Sequence, residues 1–265
     1  MVLNRTVELG LLEALEDEPL FREKLAADVK TGNVFAALRE GAVDFYHKGQ
    51  RIFHYDKGGF KTHRKYLQII ALGDSDAYIS EPQLQSEPKI ESFLGMYKDL
   101  KDRAALHAGE ESRGVYSLVE QFTYAKPQEN VVVLDVEIAF SGTRSRIDVL
   151  LYHRRQKKLA FVEAKHYSNK ELFSTVGTKP EVVAQIARYE GVIAAHSDQI
   201  LSCYQEYVTL LKGFPGVELP APESVHKKCG LYVFGFDWDQ LNGRFKDLLE
   251  KDGSLTGIGY YPKGN

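Results

Sequence analysis

The sequence predicts an α/β protein, and three observations support this class. Four apolar runs have the length and composition of buried strands: 131–140, 147–152, 159–164 and 231–236. Segments with apolar residues at helical spacing lie before, between and after these runs: 104–122, 181–196 and 240–250. A chain of 265 residues with 43% hydrophobic residues is long enough to bury a sizeable core.

The amino-terminal third predicts a small α+β module of its own. Helices are expected over 7–15 and 20–29, and a hairpin over 42–46 and 51–55 turns at Lys48-Gly49-Gln50. Residues 79–88 are polar and contain two prolines, which favours a domain junction there. We therefore expect an accessory domain over residues 1–85 and a larger domain over 86–265.

Basic and aromatic residues alternate over residues 57–66 of this module. Two interpretations stay open: a surface that stacks bases and binds phosphates, or a packing domain whose aromatic side chains lie in the core. His47, His54 and His63 lack the spacing of a metal site.

Charged residues occur inside two runs that are otherwise apolar. Asp148 lies in the run 147–152, and Glu163 and Lys165 lie at the end of the run that follows the polar turn 154–158. A hairpin of these strands places Glu163 and Lys165 on one face and can bring Asp148 opposite them. Buried charges are costly unless they compensate one another, so the three side chains are expected to converge.

Two carboxylates and an ammonium group suit metal-assisted chemistry at phosphorus. Oxygens of Asp148 and Glu163, with the carbonyl of Ala164, can hold Mg²⁺ or Mn²⁺. The metal polarises a phosphoryl group and acidifies a bound water, and Lys165 can orient that water or offset negative charge.

An acid separated by fourteen residues from a Glu-X-Lys sequence, across a hairpin, resembles the PD-(D/E)XK nuclease superfamily. The resemblance covers about the last two thirds of the chain, and Ile147 stands where that motif has its proline. It implies a restriction-endonuclease-like core, a mixed β-sheet flanked by helices, with Asp148, Glu163 and Lys165 as catalytic residues. The alternative is an ordinary exposed hairpin carrying a Glu–Lys pair.

A second motif resembles the RecB-like branch of the superfamily. Gln185 and Tyr189 are four residues apart and share one face of the predicted helix 181–196. The resemblance implies that they help to bind substrate or organise the metal region. Alternatively, Tyr189 packs on the sheet with Gln185 as its polar neighbour.

Members of this superfamily commonly supply a further acid to the metal. Glu111 lies on the apolar stripe of the predicted helix 104–122, whereas Glu120 lies closer to the next strand. Glu137 is another candidate, although its alternation with Asp135 equally predicts a polar face of the strand 131–140.

The formal net charge of −3 conceals a basic segment from Arg144 to Lys170. Arg144, Arg146 and Lys170 are candidate contacts to the DNA backbone. The other interpretation is a solvated basic turn.

No stretch of eighteen apolar residues and no secretory signal is present, so a cytoplasmic protein without membrane association is expected. Cys203 and Cys229 are too few for a four-cysteine iron–sulfur cluster.

The sequence thus predicts a Mg²⁺- or Mn²⁺-dependent deoxyribonuclease, and the resemblance places such enzymes in restriction, phage defence or repair. The alternatives are a nucleic-acid-binding protein with the same fold that is silent or activated by a partner, and a ribonuclease. A homodimer and a helicase or defence-system partner are compatible with the resemblance.

Overall fold

The computed structural model is a mixed α/β protein with two β-sheets. It describes residues 3–67, 77–84, 92–126, 129–141, 146–174, 179–243, 247, 255 and 258–264. The chain forms two compact units. The N-terminal unit comprises Asn4–Glu129 and Gln205–Leu219, and the C-terminal unit comprises Met1–Leu3, Asn130–Tyr204 and Pro220–Asn265.

The N-terminal unit contains an antiparallel five-stranded sheet in the order β1-β2-β3-β4-β5. Its strands are β1 (Phe35–Arg39), β2 (Ala42–His47), β3 (Gln50–Asp56), β4 (Gly59–His63) and β5 (Tyr78–Ser80). Its helices are α1 (Leu9–Asp17), a π-helical turn (Phe21–Leu25) continued by α2 (Ala26–Thr31), α3 (Glu81–Leu84), α4 (Tyr97–Leu106) and α5 (Glu110–Phe122). A 3₁₀ turn, Arg64–Tyr66, follows β4.

Several expectations for this unit are confirmed. The hairpin β2–β3 turns at Lys48 and Gly49, which both have positive φ as a tight turn requires. In the basic and aromatic segment, Phe60 and Tyr66 are 3% and 2% exposed. The large aromatic side chains of this segment therefore lie in the core, which agrees with its interpretation as part of a packing domain.

The predicted single helix over 104–122 is two helices, because α4 ends at Leu106 and Gly109 caps α5. The predicted junction also differs from the observed division. Ile79 pairs with Thr62, so β5 completes the sheet of the N-terminal unit, and this unit continues to Glu129.

The C-terminal unit contains a six-stranded sheet in the order β11-β10-β8-β7-β6, with β9 paired to β8. Its strands are β6 (Val131–Ala139), β7 (Arg146–His153), β8 (Lys158–His166), β9 (Ser224–Val225), β10 (Gly230–Phe236) and β11 (Tyr260–Gly264). Its helical segments are a 3₁₀ turn (Lys170–Leu172), α6 (Glu181–Ala195), α7 (Ser197–Leu211, of which residues up to Tyr204 belong here) and α8 (Trp238–Leu241). Strands β6, β7 and β8 are antiparallel neighbours, whereas β10 runs parallel to β8.

The four predicted strands and the helix 181–196 are therefore confirmed. The interpretation of Asp135 as part of a polar strand face is wrong, because this residue is fully buried in β6. Its carboxylate accepts hydrogen bonds from the Tyr204 hydroxyl at 2.9 Å and the Val136 amide at 2.8 Å. Of the predicted helix 240–250, the structure describes residues 240–243, where α8 ends at Leu241, and residue 247; the remainder lies outside the described residues. No helix of the described chain has the length and apolar character needed to cross a membrane.

Candidate active site

The hairpin β7–β8 brings Asp148 and Glu163 to neighbouring positions. Val149 pairs with Val162, so the next residue on each strand is Asp148 on β7 and Glu163 on β8. The Ala164 amide donates to Asp148 Oδ2 at 2.8 Å. The Asp148 carboxylate is thus fixed against the backbone that carries Glu163.

Lys165 lies on the same face of β8 as Glu163, two residues further on. Its Nζ atom is 3.1 Å from Glu163 Oε1 and 2.7 Å from Glu171 Oε2. The first contact was expected from strand alternation, whereas Glu171, in the 3₁₀ turn after β8, was not predicted from the sequence. No spacing rule links Glu171 to the Glu-X-Lys motif, because its position depends on how the chain turns after the strand.

Glu163 is buried, with 2% of its surface exposed. Burial, followed by the charge of Asp148, raises the pKa of Glu163 to about 8 in spite of the Lys165 ammonium group. Its Oε2 atom is buried and has no hydrogen-bond partner among the described residues. A buried acceptor without a partner is costly, and a cation beside it would remove that cost.

Lys165 keeps its charge although only 8% of it is exposed. Burial opposes that charge, but the hydrogen bonds and charges of Glu171 and Glu163 raise the pKa of Lys165 above its ordinary value. The site therefore holds a cation between the acidic side chains of Glu163 and Glu171.

Helix α6 supplies the two polar residues predicted on its face. The Gln185 amide donates to Glu163 Oε1 at 2.8 Å and to the Tyr189 hydroxyl at 2.9 Å. Tyr189 in turn donates to the Arg146 carbonyl at 2.8 Å, and burial followed by the Glu163 charge raises its pKa to about 12. Both side chains thus connect α6 to the strands of the site, and Tyr189 is also buried as the packing alternative expected.

The other predicted acids lie on α5 and β6. Glu111 and Glu120 belong to α5 in the N-terminal unit, where Glu120 pairs with Lys48. Glu137 is exposed at the end of β6, has a φ of 51°, and lies 3.8 Å from Arg146 Nη1.

Of the predicted DNA contacts, Arg146 begins β7 with its side chain 65% exposed, and Lys170 is exposed in the 3₁₀ turn. Arg144 lies outside the described residues.

Cys229, like Glu171, is a neighbour of the site that was not predicted from the sequence. It is 1% exposed, and burial followed by the Glu163 charge raises the pKa of its thiol well above the ordinary range. The thiol is therefore protonated at neutral pH and a poor nucleophile.

Within the described ranges, no group of three or more His, Cys, Asp and Glu side chains is arranged to hold a metal ion. Asp148 and Glu163 nevertheless provide two carboxylates of the type that Mg²⁺ uses, since this ion keeps several waters and takes few protein ligands. The buried Glu163 Oε2 without a partner fits such a ligand.

No family model matches this chain, and neither the curated proteins nor the solved structures contain a match to it. Functional inference therefore depends on the geometry of these side chains.

Proposed function

We propose that the C-terminal unit is a nuclease of the PD-(D/E)XK type that hydrolyses DNA phosphodiester bonds with the help of a divalent metal ion. The observation that carries this proposal is the convergence of Asp148, Glu163 and Lys165 on one hairpin, with one Glu163 oxygen buried and without a partner. A mixed sheet with helices in the same unit agrees with the restriction-endonuclease-like core that the motif implies.

Asp148 and Glu163 would hold Mg²⁺ or Mn²⁺, and the Ala164 carbonyl is a further candidate ligand because its peptide already contacts Asp148. When bound, the metal supplies Lewis-acid polarisation of the phosphoryl group and a more acidic water. Its charge would also lower the raised pKa of Glu163 and keep this carboxylate ionised.

Gln185 fixes the orientation of Glu163. Its amide donates to Oε1, which leaves Oε2 as the atom directed to a ligand. Tyr189 accepts from the same amide and anchors it to the Arg146 carbonyl. These two residues position the carboxylate and need not touch the substrate.

Lys165 offers its ammonium protons to the reacting atoms. The water oxygen forms a new bond to phosphorus and releases one proton to solvent, while the bond from phosphorus to the sugar oxygen breaks and that oxygen takes up a proton from solvent. The Lys165 ammonium group can orient the water and offset the negative charge that grows on the phosphoryl oxygens. Glu171 holds Nζ at 2.7 Å and so limits where this cation can move.

A cleavage panel tests this proposal: linear and circular DNA, each single- and double-stranded, and RNA of the same sequence, incubated with Mg²⁺ or Mn²⁺. We expect wild-type cleavage of DNA and its loss in Asp148→Ala and Lys165→Ala. A preference for linear substrates indicates end-dependent cutting. Binding without cleavage under every condition would instead favour the silent or partner-activated protein, and cleavage of RNA alone would favour a ribonuclease.

A further inference from the structure

A cluster of cationic side chains lies on the N-terminal unit, apart from the residues used above. We call it the cationic cluster, and its members come from β3, from β4 and the 3₁₀ turn after it, and from the end of α4: Arg51, His63, Lys65, Arg103 and His107. Segments distant in sequence thus bring two arginines, a lysine and two histidines together.

Tyr78 and Tyr66 hold these side chains in place. The Arg51 guanidinium lies 4.8 Å from the Tyr78 ring centroid, and the His63 ring meets the same ring edge-on at 5.2 Å. The Lys65 ammonium lies 4.9 Å from the Tyr66 ring centroid. Since cations cover these faces and Tyr66 is 2% exposed, the surface offers charged donors and not open rings for base stacking.

Four of the five side chains of the cluster contact Tyr66, and Lys65 is one of them. The centroid of His63 is 5.9 Å from that of Tyr66, and the centroid of Tyr66 is 6.0 Å from that of His107. Arg103 donates to the Tyr66 carbonyl at 2.9 Å. Positive side chains from separate segments thus lie around one residue, and such a group of charges can neutralise the phosphates of a nucleic-acid backbone.

The electrostatics of His63 reflect its surroundings. Burial, and then the positive charges of Lys65, Arg51 and His107, lower the pKa of His63. Asp44 offsets part of this charge through Arg51, at 3.1 Å. Like charges held together destabilise the free protein, and a bound polyanion relieves that repulsion.

We propose that the cationic cluster binds the phosphate backbone of nucleic acid and gives the protein a DNA contact outside the C-terminal unit. The choice of DNA rests on the proposed function. His63 Nδ1 accepts from the Lys65 amide at 3.1 Å, so the neutral ring carries its proton on Nε2 and can donate to a phosphate oxygen. Lys65 is exposed, and its ammonium group donates to Gln50 Oε1 at 2.9 Å, so its positive charge is held at the surface.

Binding of a short labelled duplex, followed by fluorescence anisotropy in EDTA over a series of salt concentrations, tests the proposal without any cleavage. Lys65→Gln is compared with Lys98→Gln, which removes one positive charge from an 85% exposed lysine of the same unit. We expect Lys65→Gln to weaken binding roughly five-fold and to reduce the slope of log K against log salt by about 1. Lys98→Gln should bind like the wild type.

Equal affinities of the Lys65 and Lys98 variants, or a wild type that does not bind the duplex, would overturn the proposal. So would displacement of the duplex by a deoxynucleoside triphosphate at equal phosphate concentration, because the site would then serve a small phosphate ligand. The two proposals fail separately. If the wild type cleaves DNA but Lys65→Gln binds the duplex normally, only the proposal for the cationic cluster is contradicted. If Lys65→Gln weakens duplex binding but the wild type never cleaves DNA, only the nuclease proposal is contradicted.

Discussion

Glu163 is a buried acid whose environment favours its protonated form. Burial and the Asp148 charge raise its pKa to about 8. Because the pKa of Glu163 is higher in the folded than in the unfolded protein, its contribution to the free energy of unfolding is fully present below the unfolded-state pKa. This contribution is lost as the pH rises through the folded-state pKa.

Thermal unfolding in EDTA should therefore show a stability that falls between about pH 5 and pH 9 in the wild type. In Glu163→Gln this fall should be smaller, because the amide stays neutral. Mg²⁺ should raise the melting temperature of the wild type at pH 8 more than that of the variant. Identical pH profiles for the two proteins would show that Glu163 does not titrate as described.

Asp44, in the N-terminal unit, has the opposite character. It is 2% exposed and its carboxylate contacts Arg39 at 3.2 Å, Arg51 at 3.1 Å and His54 at 2.7 Å. Burial opposes its charge, but the His54 hydrogen bond and the two arginines lower the pKa of Asp44 below its ordinary value.

Asp44→Ala should destabilise the protein by about 3 kcal/mol, because it leaves two partly buried arginines without this carboxylate. Urea unfolding at pH 7 measures the change. The lowered pKa means that the wild-type advantage is present above the unfolded pKa and disappears as pH falls below about 4. An advantage that stayed constant down to acid pH would contradict the role of the charged carboxylate.

At the scale of elements, the packing of β10 beside β8 requires glycine at position 235. This residue has a φ of 83° within the irregular register of β10 between Phe234 and Phe236. A Cβ atom there would overlap the ring of His166, which follows Lys165 on β8. The close approach of backbone and ring therefore needs glycine.

Gly235→Ala should destabilise the C-terminal unit by about 2–4 kcal/mol, from left-handed strain and the clash with His166. Chemical denaturation measures this cost. The double variant Gly235→Ala/His166→Ala is the matched control. It should recover the part of the lost free energy of unfolding that the clash with His166 causes. No recovery would mean that backbone strain alone accounts for the loss.

Elements with strong local signals were predictable from the sequence. The apolar runs and the polar turn predicted β7, β8 and their hairpin, and helical spacing predicted α6 with Gln185 and Tyr189 on one face. These signals come from residues that are near one another in the chain. The contacts among Asp148, Glu163 and Lys165 follow from strand pairing and alternation, so they could be predicted too.

Features that depend on tertiary context could not be predicted. Glu171 reaches Lys165 because of the turn after β8, and Asp135 is buried because Tyr204 of α7 supplies a hydroxyl. The break between α4 and α5 and the pairing of β5 with β4 likewise depend on packing within the N-terminal unit. A single sequence shows which residues are charged, but not which charges have partners.

At the scale of the whole molecule, the two units carry different charged groups. The C-terminal unit places two acids and a lysine on one buried hairpin, and the N-terminal unit carries the cationic cluster on its surface. The net charge of −3 is therefore a poor guide to the local charge at either of these two places. Nucleic-acid contact by a protein of this net charge requires local concentrations of positive charge.

The most direct test of the central claim is the rate of Mg²⁺-dependent hydrolysis of linear duplex DNA by wild type, Glu163→Gln and Glu181→Gln. The two variants make the same chemical change, but Glu181 is exposed at the start of α6. We predict that Glu163→Gln lowers the rate by about 10³-fold or more and Glu181→Gln leaves it unchanged. Wild-type rates in both variants would contradict a metal-dependent site at Glu163.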